Sequence, residues 1–501
     1  MSKYLIAHDL GTSGDKASLF STTGQLIKSH TIPYAVHYFH KNRAEQDPMD
    51  WWDAVRKATK CIVSEINAED VLAISFSGQM SSCIIVDSNC RPLRPAMIWA
   101  DQRADEQALQ LEKKVGFQRI YELTGHRVSA SYSLEKLMWI KDYEPELYKK
   151  TYRMLLAKDF IICKLTGKFV TDYSDASGTN ALDLKNRCWS QEMLDAAGID
   201  YNKLPELHDS TDIIANLSEK AASDLNLTTS TVVVCGGGDG PCSAVGAGCI
   251  DADQLFLSYG TSAWIGGTTK EVFLDPNKVL FCFAHVIPDH YMPCGTMQAA
   301  GSSYSYIKDT LCQSETATAR QQNISEYEMM NELVEKSPVG SKGLTFLPYL
   351  LGERSPRWNP NATGSFIGIK MEHQKEDYIR AVLEGVAMNL SLILHAYENK
   401  LQINHMIFIG GGAKGDTLAQ ILSDVLNTSL LRPNHVENAT SVAAALIAGI
   451  GIGVFHDFSE INHFLTIKDS FHPIAEHVER YQVHKNFFEE AYQCLKPLYK
   501  I

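Results

Sequence analysis

An α/β protein made of two similar halves is what the sequence predicts, and three observations predict it. The chain has 501 residues, 45% apolar and 21% charged. That composition is globular, and the length exceeds what one core usually serves, so at least two domains of roughly 150–250 residues are expected. Strand-like and helix-like segments are mixed along both halves. The turn Gly11-Thr12-Ser13 follows an apolar strand near the head of the chain, and Gly260-Thr261-Ser262 does the same near its middle. A motif repeated at the head of two halves of equal size suggests a duplicated core.

The elements follow in order. Tyr4 to Asp9 reads as a strand, and Lys16 to Phe20 and Gln25 to Ile32 continue it as a hairpin series. Pro48 to Trp52 opens a helix that carries Trp52, Val55, Ala58, Thr59 and Ile62 on one face. Val71 to Ser77 is a further strand ending in Gly78-Gln79-Met80. Thr231 to Cys235 reads as a buried strand running into Gly236-Gly237-Gly238-Asp239. The second half restarts with a strand from Gln254 to Tyr259. Lys375 to Lys400 is a long helix with Ile379, Val382, Leu383, Val386, Leu390, Ile393, Leu394 and Tyr397 in one stripe. A strand from His405 to Ile409, a tight turn over 410–415 and a helix from Asp416 to Leu426 come next. Thr440 to Gly451 is a helix of small residues suited to close packing. No long linker separates the halves, so a cleft between packed domains is expected.

Charge and thiols bound the function. The 46 basic and 59 acidic side chains give a formal charge of −13. The basic residues are scattered, which argues against nucleic acid and anionic membranes as partners. The apolar start, Tyr4 to Ala7, is too short for a signal-peptide core. The most apolar later stretch, Val442 to Phe455, falls short of the ~20 residues of a membrane span. Twelve cysteines are spread over the chain, and Cys235, Cys242 and Cys249 recur at a spacing foreign to zinc sites. Reduced core thiols and a cytoplasmic location are the expectation.

Four constellations can carry chemistry. In Asp9-Leu10-Gly11-Thr12-Ser13-Gly14-Asp15-Lys16, a strand-end carboxylate suits a hydrated divalent cation. The glycine turn and the hydroxyls suit a phosphate. The glycine spacing before Lys16 is not that of a Walker loop. Two such loops, at 11–13 and 260–262, could clamp a polyphosphate from both sides. In Gly236 to Pro241, Asp239 reads either as a helix cap or as a general base at the head of a helix that starts with Pro241. Gly410 to Gly415 matches a dinucleotide fingerprint. Too few βα units follow it, however, and no carboxylate ends the next strand, Ser429 to Leu431, so a nucleoside-binding turn fits better. The stretch Leu347 to Pro356, with Gly352-Glu353-Arg354-Ser355-Pro356 inside it, reads as an ordered loop.

Together these segments resemble the FGGY carbohydrate kinase family from Asp9 to about Phe455. The resemblance rests on Asp-Leu-Gly-Thr-Ser at 9–13, Gly-Gln-Met at 78–80, Gly-Gly-Gly-Asp at 236–239, Gly-Thr-Ser at 260–262, the stretch 352–356 and Gly-Gly-Gly-Ala at 410–413. Within the family the chain is most similar to the xylulose kinases, through Gln46-Asp47-Pro48, Lys158-Asp159 and the segment from Asp172 to Thr179. The resemblance implies two actin-like ATPase domains (ribonuclease H-like), over 1–248 and 249–501, with a cleft between them. It implies ATP and Mg²⁺ as cofactors, a small sugar as acceptor, and Asp239 as the base. Asp9 would hold the metal through water, with Thr12, Ser13, Lys16, Gly260 and Thr261 near the phosphates. Gly301, Gly411, Gly412 and Asp416 would lie by the nucleotide, and Met80, Ser81, Asp101 and Gly240 by the sugar. A homodimer is allowed for. Two positions depart from the xylulose kinase pattern, since Ser81 and Gly240 stand where His and Asn are usual. D-xylulose is therefore the first acceptor to consider, with ribulose, a polyol or gluconate beside it. Two other classes compete: a chaperone-like or filament-like nucleotide-binding module, which lacks the 352–356 stretch, and a dinucleotide oxidoreductase, which rests on 410–415 alone.

Overall fold

The computed structural model describes residues 3–434 and 436–500. The N-terminal sheet uses β1 (Tyr4–Leu10), β2 (Gly14–Ser21), β3 (Leu26–Pro33), β4 (Val71–Gly78), β5 (Ile213–Asn216), β6 (Val232–Val234) and the short β7 (Gly237–Gly238). Its order is β5-β6-β4-β1-β2-β3, with β7 also on β4. The C-terminal sheet uses β8 (Leu255–Tyr259), β9 (Ala263–Gly267), β10 (Phe281–Ala284), β11 (Tyr291–Met297), β12 (His405–Ile409), β13 (Ser429–Pro433) and β14 (Ile467–Phe471). Its order is β10-β11-β9-β8-β12-β13-β14.

The two sheets repeat one topology. In the first, β3, β2 and β1 run antiparallel, β1, β4 and β6 run parallel, and β5 closes antiparallel. In the second, β11, β9 and β8 run antiparallel, β8, β12 and β13 run parallel, and β14 closes antiparallel. The turns Gly11 to Ser13 and Gly260 to Ser262 occupy the same place, between the first two strands of each sheet. The echo in the sequence is therefore an echo in topology.

Helix α1 (Pro48–Ile62) starts where Asp47 accepts the Met49 N–H and Pro48 takes the first position. It buries Trp51, Trp52, Val55, Ala58, Thr59 and Ile62, and it packs on β2 and β3. Between β4 and β5 lies a largely helical insertion that includes α2 (Ala157–Thr166) and the short α3 (Tyr173–Ser177). Helix α4 (Asp239–Gly246) begins two residues before Pro241, so Asp239 is its first residue rather than a residue ahead of it. The C-terminal half adds α5 (Gly301–Leu311), α6 (Glu326–Val334), α7 (Lys375–Glu398), α8 (Asp416–Leu426) and α9 (Ala439–Gly451). Helix α7 is long and apolar enough to cross a membrane by length and composition, but its stripe from Ile379 to Tyr397 is buried in the C-terminal core.

The halves interlock through α4 and α9. Val442 to Ala448 of α9 cluster with Leu5, Ala7 and Ala73 of the N-terminal sheet. Ala244 of α4 clusters with Phe256, Met292 and Ile407 of the C-terminal sheet. Where the helices cross, a Cβ on Gly246 would lie 1.8 Å from the Ala439 carbonyl oxygen, so only glycine permits the approach. The small residues of α9 are explained by this crossing.

Candidate active site

Asp9 sits near the end of β1, directly opposite Lys16 of β2. Burial pushes its carboxyl above the usual carboxylate range, while Lys16 and a hydrogen bond from Thr440 Oγ1 (2.7 Å) oppose the push. Lys16 donates to the Glu437 carbonyl at 2.9 Å and to Asn438 Oδ1 at 3.3 Å. The segment leading into α9 is thereby fastened to β2, just past the first glycine turn. Thr12 Oγ1 accepts from Trp99 Nε1 (2.9 Å), and the Thr12 carbonyl accepts from Gln46 Nε2 (2.8 Å), which itself is bridged to Gln79. Ser13 is exposed. Thr440, Asn438 and Gln46 carry no local signal as site residues, because only the fold brings them to Asp9, Lys16 and Thr12 respectively.

Asp239 follows β7, which pairs with the end of β4. The glycines ahead of it have steric reasons. Gly236 has φ +74°, and a Cβ there would lie 2.2 Å from the Phe76 carbonyl oxygen. A Cβ on Gly238 would lie 2.7 Å from Met80 Sδ. Burial first, and then the charge of Asp9, raise the Asp239 carboxyl to about 7, while the Gly240 and Asp239 N–H groups pull it down. A carboxylate held there can take a proton near neutral pH, as a general base requires.

Met80, one of the residues expected at the sugar, packs against Gly238 and near Gly240. Ser81, at φ +60°, donates to the Gly178 carbonyl at 2.8 Å. Lys136, buried and pushed down to about 7 chiefly by desolvation, donates to the Ser81 and Ile98 carbonyls. The Asp101 carboxylate accepts from the Ala44 N–H (2.7 Å) and from Arg103 Nε and Nη2. Those bonds engage both of its oxygens, so Asp101 braces the wall. A Cβ on Gly240 would meet Met292, Met80 and Trp264 at 3.4–3.7 Å, which is ordinary contact distance.

The C-terminal half supplies a cavity of about 870 Å³, lined by Gly260, Thr261, Gly301, Gly411, Gly412 and Asp416 among others. All six C-terminal residues that the sequence marks as candidates thus line one cavity. The Gly301 and Ser302 N–H groups donate to the Gly260 and Thr261 carbonyls, at 3.0 Å each, so the second glycine turn is fixed to the head of α5. Stacked Tyr304 and Tyr327, with Asn331 accepting from the Tyr304 hydroxyl (2.9 Å), form a further wall. In sequence these aromatics look like ordinary helix residues. Asp416 pairs with Arg432 at 2.8 Å.

Glu353 explains the 352–356 stretch. Its Oε1 accepts the Gln298 and Arg354 N–H groups and its Oε2 accepts Asn389 Nδ2, at 2.8–2.9 Å. Burial raises it to about 8. It therefore latches the segment after β11 to α7. Among the described residues no group of three or more His, Cys, Asp or Glu side chains could hold a metal ion by itself.

Two glycine turns at matching places in the two sheets, a half-buried carboxyl raised to about 7 and a cavity of about 870 Å³ in the C-terminal half are parts that phosphoryl transfer uses. Comparison with known proteins agrees. The model for the FGGY family of carbohydrate kinases, N-terminal domain, matches residues 4–246, and its C-terminal domain matches 255–452. The chain belongs to the FGGY family of carbohydrate kinases. It is 32% identical to a xylulose kinase of Bacillus subtilis (strain 168), over 99% of this chain and 98% of that protein. It is 30% identical to a gluconokinase of the same organism, over 100% of this chain and 97% of the relative. The solved structure of a ligand-bound xylulose kinase from Lactobacillus acidophilus superposes with a TM-score of 0.92 at 29% identity, covering 99% of both chains. The protein is an ATP-dependent carbohydrate phosphotransferase of xylulose kinase-like type.

Proposed function

We propose that this kinase transfers the γ-phosphate of ATP to a hydroxyl of a ketopentose, D-xylulose first, with Asp239 as the base. The carrying observation is the position of Asp239: first residue of α4, beside Asp9, with its carboxyl raised to about 7. Asp239 accepts the hydroxyl proton as the oxygen attacks in line. Thr12, Ser13, Lys16, Gly260 and Thr261 orient the phosphates and stabilise their spread charge. Gly301, Gly411, Gly412 and Asp416 hold the nucleoside. Met80, Ser81, Asp101 and Gly240 shape the acceptor wall.

The residues present fit Mg²⁺ bound through water. Asp9 and Asp239 are two mutually repelling carboxylates beside a phosphate turn, and Mg²⁺ typically keeps waters and takes its other ligands from substrate phosphates. When bound, it would neutralise phosphate charge, with Asp9 orienting its water. The two domains, taken as 1–248 and 249–501, are of the actin-like, ribonuclease H-like type. Closure of their cleft excludes water as a competing acceptor. We place the enzyme in the cytoplasm, with no nucleic acid or membrane partner, and allow for a homodimer.

Gluconate is the second reading. Ser81 and Gly240 shorten two groups on the acceptor wall, and a gluconokinase is nearly as similar as a xylulose kinase. ADP release scored over ketopentoses, polyols and aldonates tests both. Xylulose giving no more ADP than water alone would remove the first reading, and a gluconate response would install the second.

A further inference from the structure

The turn that carries Asp239 is tied to a buried polar cluster with no place in the phosphoryl-transfer machinery described above. The Gly238 N–H donates to Ser174 Oγ at 3.0 Å. Ser174 Oγ in turn donates to Asp172 Oδ2 at 2.5 Å. The other oxygen of Asp172 meets Lys158 Nζ at 2.9 Å. Lys158 also pairs with Asp159 at 2.7 Å and lies 3.7 Å from Asp175. All five of these side chains are wholly buried. One ammonium thus serves three carboxylates, and neither carboxyl oxygen of Asp175 has a hydrogen-bond partner. Buried ion clusters of this kind are weak sources of stability, so the contacts the cluster makes with its surroundings matter more than its pairings. What it holds is short helix α3. Through Ser174 the helix grips the backbone one residue before Asp239. Through Ser177, which donates to the Ser174 carbonyl (2.6 Å) and accepts from the Ala284 N–H (3.1 Å), it touches β10 of the other half.

We propose that Ser174 is a positioning residue for the base, anchoring the Gly237–Gly238 peptide to the Lys158-centred cluster so that the Asp239 carboxylate, one residue on, is presented at a fixed place. The proposal rests on Asp239 being the base. Ser174 touches neither sugar nor nucleotide in this scheme, and acts only through the backbone that leads into α4. Gly237 leaves no slack, since a Cβ on it would lie 3.0 Å from Ser174 Oγ.

The matched control is Ser210, a buried residue whose hydroxyl donates to the same Asp172 oxygen at 2.8 Å; it meets the glycine turn through its backbone carbonyl, which accepts from the Gly236 N–H at 2.9 Å and which alanine leaves in place. Ser174→Ala and Ser210→Ala each remove one donor from Asp172, and only the first frees Gly238. Ser174→Ala is expected to lower kcat about 10- to 100-fold, the scale of a displacement of ~1 Å at a reacting group. The KM values for ATP and sugar should stay within about twofold. Ser210→Ala should keep kcat within about threefold at a similar loss of melting temperature. Equal kcat in the two variants, or a raised KM with kcat intact in Ser174→Ala, overturns the proposal. Should the alanine variant fail to fold, Ser174→Cys weakens both bonds while putting a somewhat larger atom in the oxygen's place. It should show a kcat loss of about 3- to 10-fold, and an unchanged kcat there overturns the proposal equally. Asp239→Asn in the same assay separates the two claims. Turnover surviving that change sinks the base itself. Turnover lost there but kept in Ser174→Ala sinks only the positioning role.

Discussion

Replacing Asp239 by Asn should move activity and stability in opposite directions. Burial and the Asp9 charge raise the Asp239 carboxyl from its ordinary 3.8 to about 7 in the folded protein. A carboxyl raised on folding binds its proton more tightly in the native state. The stability it contributes is full below 3.8, falls as pH rises from there to about 7, and stays lost above. That rise of about three pH units corresponds to at most ~4 kcal/mol at 1.36 kcal/mol per unit. The side chain keeps some contact with solvent, so screening reduces the expected cost to ~1–2 kcal/mol. Asn is nearly isosteric and uncharged. At pH 8 the variant should therefore unfold at higher denaturant than the parent, by that ~1–2 kcal/mol, and at pH 4 the difference should vanish. In the same variant turnover should fall at least ~10²-fold, the lower range for a positioned base, with nucleotide affinity little changed. Urea unfolding at the two pH values, coupled ADP release and nucleotide titration read all three quantities. Equal stability at pH 8 would refute the account of the raised carboxyl. Near-normal turnover would refute the assignment of the base.

Further outcomes follow from the same geometry. In the parent enzyme, kcat/KM for the sugar should show an acidic limb near pH 7 as Asp239 becomes protonated, and Asp239→Asn should abolish it; a limb retained in that variant assigns it elsewhere. Gly301→Ala places a Cβ 2.4 Å from the Gly260 carbonyl oxygen, so KM for ATP should rise at least ~10-fold with the sugar KM unchanged, measured by initial rates. Glu353→Ala strands two backbone N–H donors and Asn389, and should cost about 2–4 kcal/mol by denaturant unfolding. Gly240→Asn, whose Cβ fits at contact distance, should change the ratio of kcat/KM for xylulose to that for gluconate by at least ~10-fold; an unchanged ratio removes Gly240 as a selector.

Much of the site was visible along the chain because its parts are local. A glycine turn between two strands, a glycine run before an acidic residue and a glycine turn after β12 are each a few residues long. Their chemistry is carried by backbone N–H groups and one or two side chains. Gly260, Thr261, Gly301, Gly411, Gly412 and Asp416 accordingly meet at one cavity. The partners that lie far away in sequence were not legible. Thr440 reaches Asp9 across 431 positions, Asn438 reaches Lys16 across 422, and Glu353 reaches Asn389 of α7 across 36. Nothing in the residues around Lys158 announces that Ser174 accepts from the Gly238 N–H, across 64 positions. Helix α4 starts two residues earlier than Pro241 signals, because Asp239 itself enters the first turn.

By itself the sequence determined the α/β class, the two halves and the phosphate turns, since strand period, helix stripe and glycine spacing depend on neighbours a few residues apart. Only the tertiary structure decided that the halves repeat one strand order, that α9 packs on the opposite half's sheet, and that Asp9 and Asp239 share one field. Those facts depend on which surfaces bury one another. A carboxyl raised to about 7 is a property of that burial, and of no residue taken alone.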